Sequence, residues 1–173
     1  MKFLDRSLYL VGFMGSGKST VGRLVAQELG RDFLDIDDLI VEREGRSIEE
    51  IFRDQGEDHF RQLEWQTLQS LDGRRELVAA TGGGLFLGAE KRRWLRRNGT
   101  TAWLDAPLEV CIGRVPPDSG RPLWRPGDDP LEFRAMFENR RASYALANIR
   151  VAASGPPEEV GRVLLERLRS NIP

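Results

Sequence analysis

Apolar and polar positions in this chain are grouped in blocks. Short apolar strings stand at LYLVG (8–12), FLDID (33–37), ELVAA (76–80), TAWL (101–104) and IRVA (149–152), and a stretch with helical spacing follows each. Strands that alternate with helices in this way predict an α/β domain, a five-stranded parallel sheet with helices on both faces. The first helix is the clearest, with Val21, Leu24, Val25 and Leu29 on one stripe and Gly30 ending it. Two segments do not fit a plain crossover. Residues 38–72 are charged and helical with breaks at Gly45 and Gly56, which reads as a helical insertion that carries function. Residues 114–130, RVPPDSGRPLWRPGDDP, hold prolines at 116, 117, 122 and 126 and few core residues, which reads as a lid. We expect one domain over residues 1–173.

Directly after the first apolar string comes GFMGSGKST, Gly12 to Thr20. Gly12, Gly17, Lys18 and Ser19 fill every fixed position of G-x-x-x-x-G-K-[ST], between a strand and a helix as that motif requires. A loop with so little side-chain bulk lets backbone N–H groups converge on phosphate oxygens, and the following helix turns its positive dipole end to the same anion. The expected nucleotide-binding set is Gly15, Ser16, Gly17, Lys18, Ser19 and Thr20, with Lys18 on the β- and γ-phosphates and the Ser19 hydroxyl on Mg²⁺. The loop therefore predicts a nucleoside triphosphate ligand.

The second string ends in DIDD. If Asp35 and Asp37 are two apart on a strand they face one crevice at its carboxyl end, while Asp38 caps the next helix. Beside a triphosphate the two remaining acids suggest Asp35 holding Mg²⁺ through water and Asp37 taking the proton of an attacking hydroxyl, although acidic strand ends also occur without such roles. The third string ends TGGG, with no acid, and Gly82, Gly83 and Gly84 there would let backbone N–H groups approach a small substrate. Asp105 ends the fourth string, but Pro107 and Glu109 behind it signal a helix start rather than a metal ligand.

Composition narrows the classes. With 26 basic and 27 acidic residues the formal net charge is −1, which carries no global nucleic-acid signature but leaves room for local arginine sites for small anions. Lone Cys111 excludes an internal disulfide and suits a reducing cytoplasm as a small buried hydrophobe. Asp5 and Arg6 interrupt what might pass for a signal peptide, and no run reaches transmembrane length. We expect a cytoplasmic monomer without membrane or nucleic-acid partners.

The phosphate loop, DID, HFRQLE at 59–64, TGGG, GRPLW at 120–124 and NRRASY at 139–144 stand in the order and approximate spacing of shikimate kinases, which the chain resembles from Gly12 to Tyr144. The resemblance implies a P-loop kinase fold, transfer of the ATP γ-phosphoryl group to the 3-hydroxyl of shikimate on the route to chorismate, and a Mg²⁺ requirement. It also implies residue roles: Asp37 at the acceptor hydroxyl, Asp35 near the metal, Arg61 and Arg140 on the shikimate carboxylate, and Gly82–Gly84 as the backbone wall of that pocket. Arg121 would close over the phosphates, and Arg114 would lie near the nucleotide. Arginine's planar fork suits carboxylates, although Arg61 could also simply pair with Glu64 one turn on. Arg92, Arg93, Arg96 and Arg97 read as surface, His59 as a partly exposed helical residue, and the tryptophans as core or lid packing.

The chain departs from the family where Ser143 precedes the tyrosine and Ala145 and Leu146 follow it, where the lid reads Leu-Trp, and where ASGPPEE follows the last strand without the basic residue that often flanks adenine. Two other readings stay open at this point: a neighbouring small-molecule kinase acting on gluconate or a nucleoside monophosphate, and a regulatory binder that has lost catalysis.

Overall fold

The computed structural model describes residues 6–115 and 130–170. Strand β1 (Ser7–Val11) lies at the centre of a five-stranded parallel sheet, with β3 (Leu77–Ala80) and β4 (Gly99–Asp105) beside it and β2 (Asp32–Asp35) and β5 (Ile149–Ala152) at the edges. Register is set by Leu8 against Val78 and Thr100, and by Asp35 against Ala80. Every residue of β1 is buried, which explains why LYLV reads as a continuous apolar run, whereas edge strand β5 alternates buried and exposed positions. The predicted strands all form, with ends displaced by one or two residues.

Helices α1 (Lys18–Leu29), α2 (Ile36–Glu44), α3 (Ile48–Gln69), α4 (Ala89–Asn98), α5 (Leu108–Arg114), α6 (Pro130–Tyr144) and α7 (Pro157–Ser170) connect and cover the strands. On α1 the buried set is Val21, Gly22, Val25 and Ala26, with Leu24 and Leu29 half-buried at its margins; Gly30 ends the helix in the left-handed conformation. The charged segment 38–72 holds α2 and α3. Gly45 stops α2, a reciprocal Ser47–Glu50 capping box starts α3, and Gly56 interrupts it at φ 81° and ψ 174°. No described helix is long and apolar enough to cross a membrane.

The core includes three of the tryptophan and cysteine positions read from sequence: Trp94, Trp103 and Cys111 are buried, while Trp65 is half-buried against Trp94. Arg92, read as surface, instead donates to the carbonyls of Phe86 and Leu87 and so fastens α4 to the 3₁₀ turn at Leu85–Leu87. Arg96 is exposed, as read, and donates to the Leu146 carbonyl.

The strand order decides where the site forms. β2, β3 and β1 are neighbours, so their carboxyl ends bring Asp35, Thr81 and Gly12 to one edge of the sheet. Thr81 joins two of them: its N–H and its hydroxyl both donate to the Leu10 carbonyl, at 3.1 and 2.9 Å.

Close approach at the opposite edge makes a stability test. A methyl on Gly99 would lie 2.5 Å from both the Ser7 carbonyl oxygen and the Tyr9 ring, whereas Gly113 on α5 has open space around it. Gly99→Ala should lower stability by about 1–3 kcal/mol, and Gly113→Ala should raise it by about 0.5–1 kcal/mol through helix propensity. Urea unfolding of the two variants beside the parent checks both signs.

Candidate active site

A cleft of about 840 Å³ opens at the carboxyl edge of the sheet, lined by the phosphate loop, the DIDD acids, the glycine triplet, α3 and α6. The loop bends through left-handed glycines. Gly15, at φ 71°, also passes so close to the Cys111 carbonyl that any Cβ would collide with it. Gly17 caps α1 with no side-chain hydrogen bond, so the first-turn N–H groups remain directed at the cleft. Lys18 Nζ folds back on the loop and donates to the Gly12 and Phe13 carbonyls at 3.0 and 2.8 Å. Gly15, Gly17, Lys18, Ser19 and Thr20 all line the cleft. Ser16 is the exception among the predicted loop residues: its hydroxyl is buried and its N–H donates to the Phe13 carbonyl, so it shapes the loop from within.

The acids are arranged differently from the strand reading. β2 ends at Asp35 and the chain enters α2 at Ile36, so Asp37 stands in the first helical turn and not two residues along a strand. The cap assigned to Asp38 belongs to Asp35, whose Oδ1 accepts the Asp37 N–H at 3.0 Å. This bond turns the chain out of the sheet, and Asp37 reaches the cleft from the helix. Asp35 Oδ2 accepts the Ser19 hydroxyl at 2.5 Å, so the two residues predicted to hold a metal do meet. A hydroxyl and a carboxylate are the hard oxygen donors that suit Mg²⁺, which takes few protein ligands and retains water. Asp38 lies outside this pair, 3.6 Å from Arg23, and burial raises its pKa with Asp35 adding to the effect.

Each glycine of the triplet abuts a different group. A methyl on Gly82 would collide with Glu64 Oε1 and come within 3.2 Å of Asp37 Oδ1; on Gly84 it would lie 2.5 Å from Arg61 Nη1; on Gly83 it would lie 3.6 Å from Arg140 Nη1 and from the Gly12 carbonyl oxygen. At Gly82 and Gly84 a Cβ would displace these side-chain ends, whereas at Gly83 it would meet its neighbours at ordinary contact distance. No N–H of Gly82, Gly83 or Gly84 donates to a protein acceptor among the described residues.

Arg61 makes the ion pair expected with Glu64, at 2.7 Å, and is also placed at the cleft. It pairs with Glu57 as well, at 2.8 Å. Burial opposes its charge, but the two glutamates more than offset that and hold its pKa above the ordinary value. Glu64, read from sequence only as an ion-pair partner of Arg61, is fully buried and lines the cleft, and its Oε1 has no hydrogen-bond partner among the described residues. Its i,i+3 spacing from Arg61 was the signal for the pair, not for the burial. His59 is half-buried on α3 and does not line the cleft.

At the far side Arg114 donates to the Ala153, Ser154 and Gly155 carbonyls at 2.8, 3.2 and 3.0 Å and lines the cleft together with Pro157. The segment ASGPPEE thus meets the site through backbone and proline rather than a basic side chain. Asp105 takes Arg141 and Arg150 as ion-pair partners, in keeping with its structural reading. Arg121 and most of the predicted lid lie outside the described residues.

A family model described as shikimate kinase matches residues 14–169. Curated shikimate kinases of Persephonella marina and Aquifex aeolicus are 45% and 42% identical, each over 95% of this chain and 99% and 96% of their own. Among solved structures, the Acinetobacter baumannii shikimate kinase in complex with shikimate superposes with a TM-score of 0.91 at 35% identity, covering 96% of this chain and 94% of that one. A gluconokinase from Sinorhizobium meliloti shares the fold at a TM-score of 0.62 and 19% identity.

The two acids at the start of α2 separate in a stability measurement. Asp35→Ala should cost about 0.5–2 kcal/mol through the lost cap, whereas Asp38→Ala, which breaks only a long exposed ion pair, should change stability by less than about 0.5 kcal/mol. Thermal unfolding without nucleotide reads the difference, and the reverse order would return the cap to Asp38.

Proposed function

This chain belongs to the shikimate kinase family, and from that premise we propose how its residues divide the transfer of the ATP γ-phosphoryl group to the 3-hydroxyl of shikimate. The observation that carries the reading is the glycine triplet, against which Asp37, Arg61, Arg140 and the phosphate loop all stand within one cleft. Acceptor and donor sites of a direct transfer must adjoin in this manner.

The phosphate loop and the start of α1 hold the triphosphate through backbone N–H groups. Lys18 leaves the Gly12 and Phe13 carbonyls for the β- and γ-phosphates, where its charge offsets that of the transferring group. Ser19 would hold Mg²⁺ directly and Asp35 through water, as their 2.5 Å contact supports. Bound there, the ion would neutralise phosphate charge. Arg114 and Pro157 flank the nucleotide end of the cleft.

On the acceptor side Arg61 and Arg140 bind the carboxylate, and the Gly82–Gly84 backbone supplies N–H donors around the ring. Asp37 accepts the proton of the 3-hydroxyl as its oxygen attacks phosphorus and ADP departs. Glu64 keeps Arg61 aimed across the triplet. Arg121 is assigned to closure over the phosphates from the GRPLW motif. Substrate binding falls to α2 and α3 within the 38–72 insertion, and lid closure to residues 114–130. We assign the chain to the cytoplasm as a monomer.

A coupled ADP-release assay should show turnover with shikimate, a specificity constant for gluconate lower by at least about two orders of magnitude because the arginine pair and triplet lose their fit, and loss of activity on chelation of divalent metal. Asp37→Asn should lower kcat by about 10²–10⁴-fold with the fold intact. Comparable constants for the two acceptors, or an Asp37→Asn variant near parental turnover, would remove the substrate or the base from this account.

A further inference from the structure

Tyr144 ends α6 and has no part in the mechanism above. Its side chain is 1% exposed, with the ring over Trp103 at a centroid distance of 6.1 Å. Its hydroxyl donates to the Gly83 carbonyl at 2.5 Å. Arg140, one helical turn earlier, lies near the same hydroxyl: the position a methyl on Gly83 would take is 3.6 Å from Tyr144 Oη and 3.6 Å from Arg140 Nη1. Burial pushes the phenol pKa up to about 12, against the pull of Arg140, so the hydroxyl remains a donor throughout the neutral range.

The two carboxylate-binding arginines are anchored by different means. Arg61 sits between Glu57 and Glu64, whereas Arg140 forms no ion pair among the described residues. What borders Arg140 is the Phe13 ring, 5.7 Å from its guanidinium carbon, and the Tyr144 hydroxyl. Neither removes charge from it. Its position is therefore set by neutral groups, which leave the whole cation to an incoming anion.

The same hydroxyl orients the backbone. In a planar trans peptide the Gly83 carbonyl and the Gly84 N–H point in opposite directions. Holding the carbonyl on the Tyr144 side turns the Gly84 N–H to the other side of the peptide plane, and that N–H has no acceptor among the described residues.

We propose that Tyr144 is a positioning residue for the anionic end of the acceptor, its hydroxyl fixing the Gly83–Gly84 peptide beside the Arg140 guanidinium. This rests on the reading that a carboxylate docks between Arg61, Arg140 and the triplet. The hydroxyl donates to the carbonyl, stands near the cation, and touches no substrate.

Calorimetry on the full chain tests it with shikimate, with shikimate carboxamide, which lacks the charge, and with ADP. The parent must bind shikimate, and failure there would sink the functional reading and not this one. Tyr144→Phe should weaken shikimate binding about 3- to 10-fold, as expected for one buried hydrogen bond to a neutral carbonyl, with ADP affinity held within twofold. The preference for carboxylate over carboxamide should shrink by the same factor. Combined with Arg140→Lys, the loss should be smaller than the product of the single losses, because both act at one place. Unchanged shikimate affinity, an unchanged carboxylate preference, or multiplicative losses would overturn the proposal. Loss of ADP binding would overturn it too, since the hydroxyl would then be maintaining the fold. Ser143→Ala, one residue away, serves as the packing control and should leave all three affinities in place.

Discussion

The carbonyl of Leu10 accepts two hydrogen bonds from Thr81, and the rest of the site follows from that join. It ties the ends of β1 and β3 together at the level where both strands leave the sheet. One chain then turns into the phosphate loop and the other into the glycine triplet, so a nucleotide loop and an acceptor loop with no hydrogen-bonded ladder between them still share a fixed separation. A buried hydroxyl that lost this acceptor would carry its full desolvation cost. Strand order supplies the third participant, since β2 lies on the other side of β3 and delivers the acids.

Crowding has the second part in organising the cleft. The loop at Gly15 is pressed on the Cys111 carbonyl, Gly82 on Glu64, and Gly84 on Arg61. The backbone contact at Gly15 excludes a Cβ outright, and at Gly82 and Gly84 a Cβ would have to push aside the ends of Glu64 and Arg61. Charge is distributed with the same economy. Arg61 is flanked by two glutamates, whereas Arg140 stands over the Phe13 ring and forms no ion pair among the described residues.

Much of this was legible in the residue string. The five apolar runs, the stop at Gly30, the breaks at Gly45 and Gly56, and the phosphate loop all act through local rules, and local rules can be read from neighbours in sequence. The DIDD segment could not be read so simply. Ile36 suits either a strand or a helix, and aspartate serves equally as a strand-end acid or a cap; a hydrogen bond from Asp37 to Asp35 decides between them, and it ends the strand two residues early. Glu64 and Tyr144 were hidden for another reason. Their spacing from Arg61 and Arg140 was plain, but burial is a property of the packed whole, and only packing makes a glutamate on a charged helix fully inaccessible.

Cys111 has a practical consequence. It is the one thiol of the sequence, it is 1% exposed beneath the phosphate loop, and burial raises its pKa further from neutrality. Thiol-directed reagents need an accessible thiolate, so the folded protein should react slowly with maleimides and iodoacetamides. A cysteine introduced at an exposed position, such as Arg93 on α4, would carry a dye or spin label at a single defined place without first removing the native residue, and the backbone contact between Cys111 and Gly15 could be left intact.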